Sequence, residues 1–398
     1  MRAMLASQDN GTIYSSYSDH HRNLREMNYY VHDFSNKTRE EIEWFFYSRM
    51  DHVVIGIVMP VILSLGFLGN GLFMFVTFRV KSMRTITNFY LISLAFADVC
   101  YLAIGIGEKL ACLHSSTVHS DVHAFGVAFC LTIFPMVRTC AFASLFLVTL
   151  VTLDKYDAIC RPIEHRVRTS PGRSHTKYVI LAAWVVAFCL AAMTIPASSE
   201  YFTSYVVYND ATSEHHPELI SYCWPVNGWI VMVVNGMQTL PFFFALFPNF
   251  FMYFQIIRKL NDRLIGRNIP QFVRNGTKMR NTVAKMLVFN GSVFFTCNMP
   301  FHTLSLIYVI VFFCDSATRE FWQTKLQPVQ PYVQLLLYVN SAVNPYIYNA
   351  VNRTYRKALY KAILCQKRIV KTSDRPSTRR TSSTVYAATE VNSEDTHL

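Results

Sequence analysis

Residues 53–78 read VVIGIVMPVILSLGFLGNGLFMFVTF. No acidic or basic side chain interrupts this run, and it exceeds the ~20 residues a helix needs to cross a ~30 Å hydrocarbon core. Arg79, Lys81 and Arg84 follow at once, with no acid between them. The stretch therefore reads as a membrane span ending at a positively charged surface. Working outward, comparable runs lie at 88–110, 125–159, 178–197, 228–257, 282–313 and 329–351. They hold too much Phe, Val, Ile and Leu, over too great a length, to be buried helices of a soluble protein. The predicted fold class is an all-α membrane protein: a seven-helix bundle spanning 53–352, an N-terminal tail 1–52, an amphipathic helix 353–365 and a Ser/Thr-rich tail 366–398, both tails disordered.

The composition agrees with this. Of 398 residues, 52% are hydrophobic and only 16% charged, against about 25% charged in soluble domains. The net charge of +12 does not point to nucleic acid, because the basic residues sit in loops between apolar runs and not on one polar face. The ten cysteines are scattered without a C-x-x-C pair, which argues against a zinc or redox site.

Loop charge sets the direction. The loop after the third run holds Arg161, Arg166, Arg168, Arg173 and Lys177, and the loop after the fifth holds Arg258, Lys259, Arg263, Arg267, Arg274, Lys278 and Arg280. The alternate loops hold only Arg319 and Lys325. Basic loops stay cytoplasmic, so the N-terminus is expected outside, in the plasma membrane. There, Asn10 and Asn36 head N-x-Thr sequons suited to glycosylation. No apolar run in the first ~50 residues reads as a cleavable signal peptide.

Charged groups inside hydrocarbon cost ~2.5–3.5 kcal/mol at a helix centre, so those present need a reason. Span two carries Asp98 and Glu108, span three carries Arg138, Asp154 and Lys155, and asparagines stand at 70, 298, 340 and 344. The asparagines read equally as interhelical hydrogen-bonding groups.

Several of these residues fall in motifs. Gly69-Asn70, Leu94-Ala-Phe-Ala-Asp98, Trp184, Asp154-Lys155-Tyr156, Cys297-Asn-Met-Pro-Phe301-His302 and Asn340-Ser-Ala-Val-Asn344-Pro345-Tyr-Ile-Tyr348 occur in this order. Over residues 53–365 the chain resembles the rhodopsin-like (class A) G-protein-coupled receptors, in particular the neuropeptide receptors of invertebrate type. The resemblance implies a receptor and not an enzyme. It implies a disulfide between Cys130 and Cys223. Asp98, Ser144, Asn340 and Asn344 would hold a sodium ion as allosteric modulator, with a protonated Asp98 as the competing reading and no other cofactor. Asp154, Lys155, Tyr156, Tyr253, Asn344, Pro345 and Tyr348 would carry G-protein coupling and activation. Pro300 and Pro345 each remove a helical hydrogen bond and bend their helices.

Four positions depart from the family pattern. Lys155 replaces its arginine and loses the planar fork of donors. Asn298 replaces its toggle tryptophan, so activation would pass through Phe294 and Phe301. Ala245 stands where the family has proline, between Pro241 and Pro248, and Arg280 stands where many members place an acid that locks span six to span three.

The ligand class is narrowed by what is missing. Tyr338 occupies the position of the retinal-binding lysine, and Val137 that of the amine-binding aspartate. Residues 201–208 and 219–223 are β-branched and aromatic and suit a hairpin, and the loop around them holds Glu200, Asp210, Glu214 and Glu218 with no Lys or Arg. The expected ligand is an extracellular peptide, basic or amidated, contacted by Glu108, Arg138, Phe301, His302, Gln334 and Tyr338. Lys109 or Arg138 would instead neutralise Glu108 internally if that acid is structural. Inside, Cys365 is an expected palmitoyl anchor to membrane lipid, Ser382 a kinase site serving receptor kinases and arrestin, and Thr396-His397-Leu398 a ligand for a PDZ domain. A receptor with weak or atypical G-protein coupling, a receptor for a non-peptide ligand, and a transporter are the alternatives. The last would need paired halves with broken helices, which the sequence lacks.

Overall fold

A computed structural model describes residues 30–169, 173–208, 216–262 and 271–364. Six of its helices are long and apolar enough to cross a membrane. They are α1 (Arg49–Arg79), α2 (Ile86–Ser115), α3 (Gly126–Cys160), α4 (Arg173–Ala192), α5 (Gly228–Asp262) and α6 (Gln271–Phe312). A seventh, α7 (Gln330–Val351), holds Gln330, Gln334, Asn340, Ser341 and Asn344. These polar residues lower its apolarity, and three of them are buried: Asn340, Ser341 and Asn344. Helix α8 (Arg353–Ile363) follows, its N-terminus capped by the Asn352 side chain, which accepts from the backbone N–H of Thr354 and Tyr355. Tyr355, Ala358 and Ala362 bury one face of α8.

The helices close a ring in which α1 packs on α2, α2 on α3, α5 on α6, α6 on α7 and α7 back on α1. Helix α3 is central and touches α2, α4, α5 and α6. Small residues permit the closest approaches. A Cβ on Gly69 would lie 2.9 Å from the Tyr346 ring, and one on Gly66 would meet Leu102. Polar groups lock the seams. Asn70 Nδ2 donates to Gly66 O and, across to α7, to Ser341 O, both at 3.0 Å, and Trp184 Nε1 donates to Ser93 Oγ at 2.9 Å. Removed from water, such groups must find partners within the bundle.

At the outer end, β2 (Glu200–Val207) and β3 (Leu219–Trp224) form the expected antiparallel hairpin, with Tyr201 opposite Cys223. Residues 1–52 read from sequence as a tail, and residues 30–52 depart from that. Strand β1 (Tyr30–Asp33) adds to β2 in parallel, pairing Tyr30 with Ser204 and Asp33 with Val207. Behind it Phe34, Ile42 and Phe45 bury against Val118, Val206, Tyr208 and Ile220. Backbone bonds from Tyr47 N to Thr117 O (3.1 Å) and from His119 N to Phe45 O (3.0 Å) join the segment to the loop after α2. Apolar burial at roughly 25 cal/mol per Å² is the reason these residues fold back. Short helices at Pro162–Thr169 and Ser316–Leu326 lie in loops after α3 and α6. Asn10, Cys365, Ser382 and the terminal Thr396-His397-Leu398 lie outside the described residues, as does the side chain of Arg280.

Candidate functional site

The outer half of the bundle is tethered by a disulfide between Cys130, fully buried near the top of α3, and Cys223 of β3, with Cα atoms 5.4 Å apart. It fixes the hairpin across the outer end of α3, where Tyr201 packs against the cluster of Cys112, Val122, Phe129 and Cys130. Asp121 braces the same corner by accepting from Ser221 N at 3.0 Å and His123 N at 2.9 Å. Cys112 and Cys314 are both free thiols.

Beneath this cover lie the residues expected to meet a ligand. Glu108 is paired within its own helix, with Lys109 Nζ 3.0 Å from its carboxylate. Of the two cations that could neutralise it, Lys109 is the one that pairs with Glu108 in this structure. Arg138 is half-buried on α3 and turns toward the turn that follows α4, where its Nη1 donates to Thr194 Oγ1 at 2.8 Å. Tyr338 is fully buried against Tyr101, with ring centroids 5.4 Å apart, and its hydroxyl meets no partner among the described residues. It fits because position 105 is glycine: a Cβ there would lie 2.9 Å from its ring. His302 stacks on Phe242 at 4.1 Å, while Phe301 stands edge-on to His302 and Gln334 is half-buried on α7.

The departure at Asn298 has a local explanation. Its amide donates to Phe294 O at 2.7 Å, folding back on its own helix. The space between α5 and α6 is taken instead by Phe242, Phe295 and His302, with Phe242 and Phe295 centroids 5.7 Å apart. Phe294 is buried in the same core. Both Pro241 and Pro248 sit inside a continuous α5, and Asn249 Nδ2 donates to Ala245 O at 2.7 Å and Thr149 Oγ1 at 3.0 Å.

In the middle of the bundle Asp98 is buried and accepts from Asn344 Nδ2 at 2.7 Å and Ser144 Oγ at 3.3 Å. Ser341 is buried three residues before Asn344 on α7. The side-chain oxygens of Asn340 and Asn344 are buried without a hydrogen-bond partner among the described residues. A carboxylate beside such unused oxygens is a donor set that suits a small, hard cation. Asn340 is buried one turn before Asn344 on α7 and makes no hydrogen bond to Asp98.

At the inner end, Asp154 is buried at the centre of a clamp. It accepts from Lys155 Nζ at 2.9 Å and Thr87 Oγ1 at 2.9 Å, and His165 Nε2 lies 3.4 Å from its other oxygen. Lys155 also donates to Thr87 Oγ1. The next residue of the motif, Tyr156, lies under the Arg161 guanidinium, 5.7 Å from its ring centre. Tyr253 bonds Thr152 Oγ1 at 3.1 Å, and Tyr348 packs on Phe73, which also meets Tyr355 of α8. Pro345 lies inside α7 next to Asn344.

The family described as 7 transmembrane receptor (rhodopsin family) matches residues 69–348. The chain belongs to that family. Among curated proteins it is 27% identical over 306 residues to growth hormone secretagogue receptor type 1 of Oryctolagus cuniculus, covering 75% of this chain and 77% of the relative. It is 26% identical over 335 residues to the neuromedin U receptor homolog nmur-2 of Caenorhabditis elegans, covering 78% and 80%. To the thyrotropin-releasing hormone receptor of Bos taurus it is 26% identical over 379 residues, covering 87% and 92%. This rhodopsin-family receptor is thus a multi-pass membrane protein and not an enzyme.

Sequence reasoning missed Thr87, His165, Thr194 and Ser341, which belong to the sites above, and Gly291, which makes room for the Tyr253 hydroxyl. A Thr or Gly carries no functional signal by itself, and only packing shows what it faces. The N-terminal cap did leave a trace, since Phe34, Ile42 and the run Trp44-Phe45-Phe46-Tyr47 are too apolar for a solvated tail.

Proposed function

We propose that this receptor lies in the plasma membrane with its N-terminus outside, binds an extracellular peptide at its outer end and activates a heterotrimeric G protein at its inner end. The observation that carries this is the Cys130–Cys223 tether, which holds a three-stranded sheet over half-buried polar residues of α3, α6 and α7. An extended ligand gains backbone and side-chain contacts from such a surface. The relatives, named for a growth hormone secretagogue, neuromedin U and thyrotropin-releasing hormone, support a peptide. The basic inner loops support the orientation.

Asp98 with its oxygen neighbours supports sodium as a modulator of the resting state. Asn36, exposed in the turn after β1, is a glycan site on this orientation. The Ser/Thr-rich tail serves receptor kinases and arrestin, Cys365 takes a lipid anchor, and the last three residues bind a PDZ domain. A second reading, weak or redirected coupling, rests on Lys155 in place of arginine. One screen tests both: a neuropeptide library on cells expressing the full chain, with G-protein and arrestin readouts together. A peptide raising both signals is the expected result. Arrestin recruitment without G-protein activation favours the second reading, and silence in both overturns the peptide assignment.

A further inference from the structure

Among the described residues, a charge set within the outer half of the bundle is left without a countercharge. Glu108 and Lys109 neutralise each other at 3.0 Å. Asp51 faces His119 at 3.3 Å, and Asp121 is spent on two backbone N–H groups. Glu200 and Glu218 are exposed on the hairpin. Arg138 differs from all of these. Its described bonds go to neutral acceptors only, the Thr194 hydroxyl at 2.8 Å and the Thr194 carbonyl at 3.5 Å. Among the described residues no carboxylate stands at ion-pair distance from it.

Its position makes that imbalance informative. Arg138 lies eight residues below the tethering Cys130, about 12 Å deeper at ~1.5 Å per residue. An arginine does not discharge itself by losing its proton. A cation held inside a membrane bundle faces a cavity or a partner and marks a ligand or ion path. The anchoring is also built: Thr194 is fully buried, its hydroxyl donates to Ala191 O at 2.6 Å, and its oxygen is thereby aimed at the guanidinium. That holds one edge of the planar fork and leaves further donors for a bidentate acceptor, the geometry a carboxylate supplies.

We propose that Arg138 is the anchor for a carboxylate on the ligand, from a peptide C-terminus or an Asp or Glu side chain. This rests on the reading of the chain as a peptide receptor. It reverses the charge expected at depth, where Glu108 was assigned to a basic group.

The test uses a synthetic library of short peptides. Each sequence is present as free acid and as C-terminal amide, and each Asp or Glu member is matched by its Asn or Gln isostere. G-protein activation is measured in cells expressing the full chain, with surface level read by antibody to an N-terminal tag. On the wild type, activating members should lose about 30-fold or more in potency when the carboxylate is made neutral, as for a buried charge losing its partner. Which matched pair shows the gap identifies the source of the carboxylate. Arg138→Gln should shrink the gap to about threefold or less, and Arg138→Lys, which keeps the charge, should retain part of it. If Arg138→Gln fails to reach the surface, the wild-type gap and Arg138→Lys decide. Equal potency of acid and neutral forms on the wild type overturns the anchor and leaves the peptide reading standing. A library silent in every form overturns both.

Discussion

The Tyr253 hydroxyl occupies the space that Gly291 leaves by having no side chain: a Cβ on Gly291 would lie 1.8 Å from it. The same hydroxyl bonds Thr152 at 3.1 Å, so Tyr253 of α5 is wedged between α3 and α6. Gly291→Ala therefore forces either Tyr253 out or α6 away. Overpacking of this kind costs ~1–3 kcal/mol, and a thermal melt of the detergent-solubilised receptor should show the loss. In a Tyr253→Phe background the alanine should cost less, because the oxygen nearest to it is gone. Strict additivity of the two changes would show that they do not share this space.

The Cys130–Cys223 bond should behave as one unit. Cys130→Ala and Cys223→Ala are expected to lower surface expression to the same extent, with the double variant no worse than either. Flow cytometry on tagged receptor reads this directly, and losses that add would mean that each cysteine has a separate role.

Asp154 holds Lys155, Thr87 and His165 around one buried carboxylate. Asp154→Asn removes the charge that restrains Lys155 and should raise ligand-independent G-protein activation, with Thr87→Ala giving a smaller rise. Lys155→Arg should increase agonist efficacy through the restored fork, and Lys155→Ala should lower it. An alanine variant that signals like the wild type would remove this motif from the coupling machinery.

Sodium should stabilise the resting receptor through Asp98. Melting temperature is expected to be higher in sodium chloride than in choline chloride at equal ionic strength, by mass action on the folded state. Asp98→Asn should flatten the difference. Identical melts for the wild type in both salts would favour a protonated, hydrogen-bonded Asp98.

The N-terminal cap should loosen in acid. Burial holds the imidazoles of His32 and His119 below their ordinary value of 6.5, for His119 against the opposing pull of Asp51. A histidine with a lowered folded pKa binds its proton more readily when the cap opens. Its contribution is complete above about 6.5 and falls as pH drops from there toward the lowered value. The protection factors of residues 30–47 in hydrogen exchange, corrected for the pH dependence of intrinsic amide exchange, should fall at pH 5.5 relative to pH 7.5, to a degree reduced by His119→Gln; equal protection at both pH values would count against it.

The seven spans were legible in the linear order, because membrane insertion reads length and apolarity, both properties of contiguous residues. The hairpin was legible for a similar reason, since β-branched and aromatic runs around a polar loop pair locally. Even α7, the least apolar span, was betrayed by its motif and its position after α6.

Contacts between distant residues were not legible. The sequence allowed either Lys109 or Arg138 to neutralise Glu108, and it is the pairing with Lys109 that leaves Arg138 on Thr194. It marked Asn298 as a departure, while the folding back of that amide onto Phe294 depends on the aromatic stack between α5 and α6. It read residues 30–52 as tail, while Phe34, Ile42 and Phe45 find their apolar partners in two loops more than seventy residues further on. Periodicity and charge act along the chain and so can be read from it. Which buried group satisfies which other is decided by side-chain shape and exclusion of water, and those exist only once the helices have packed.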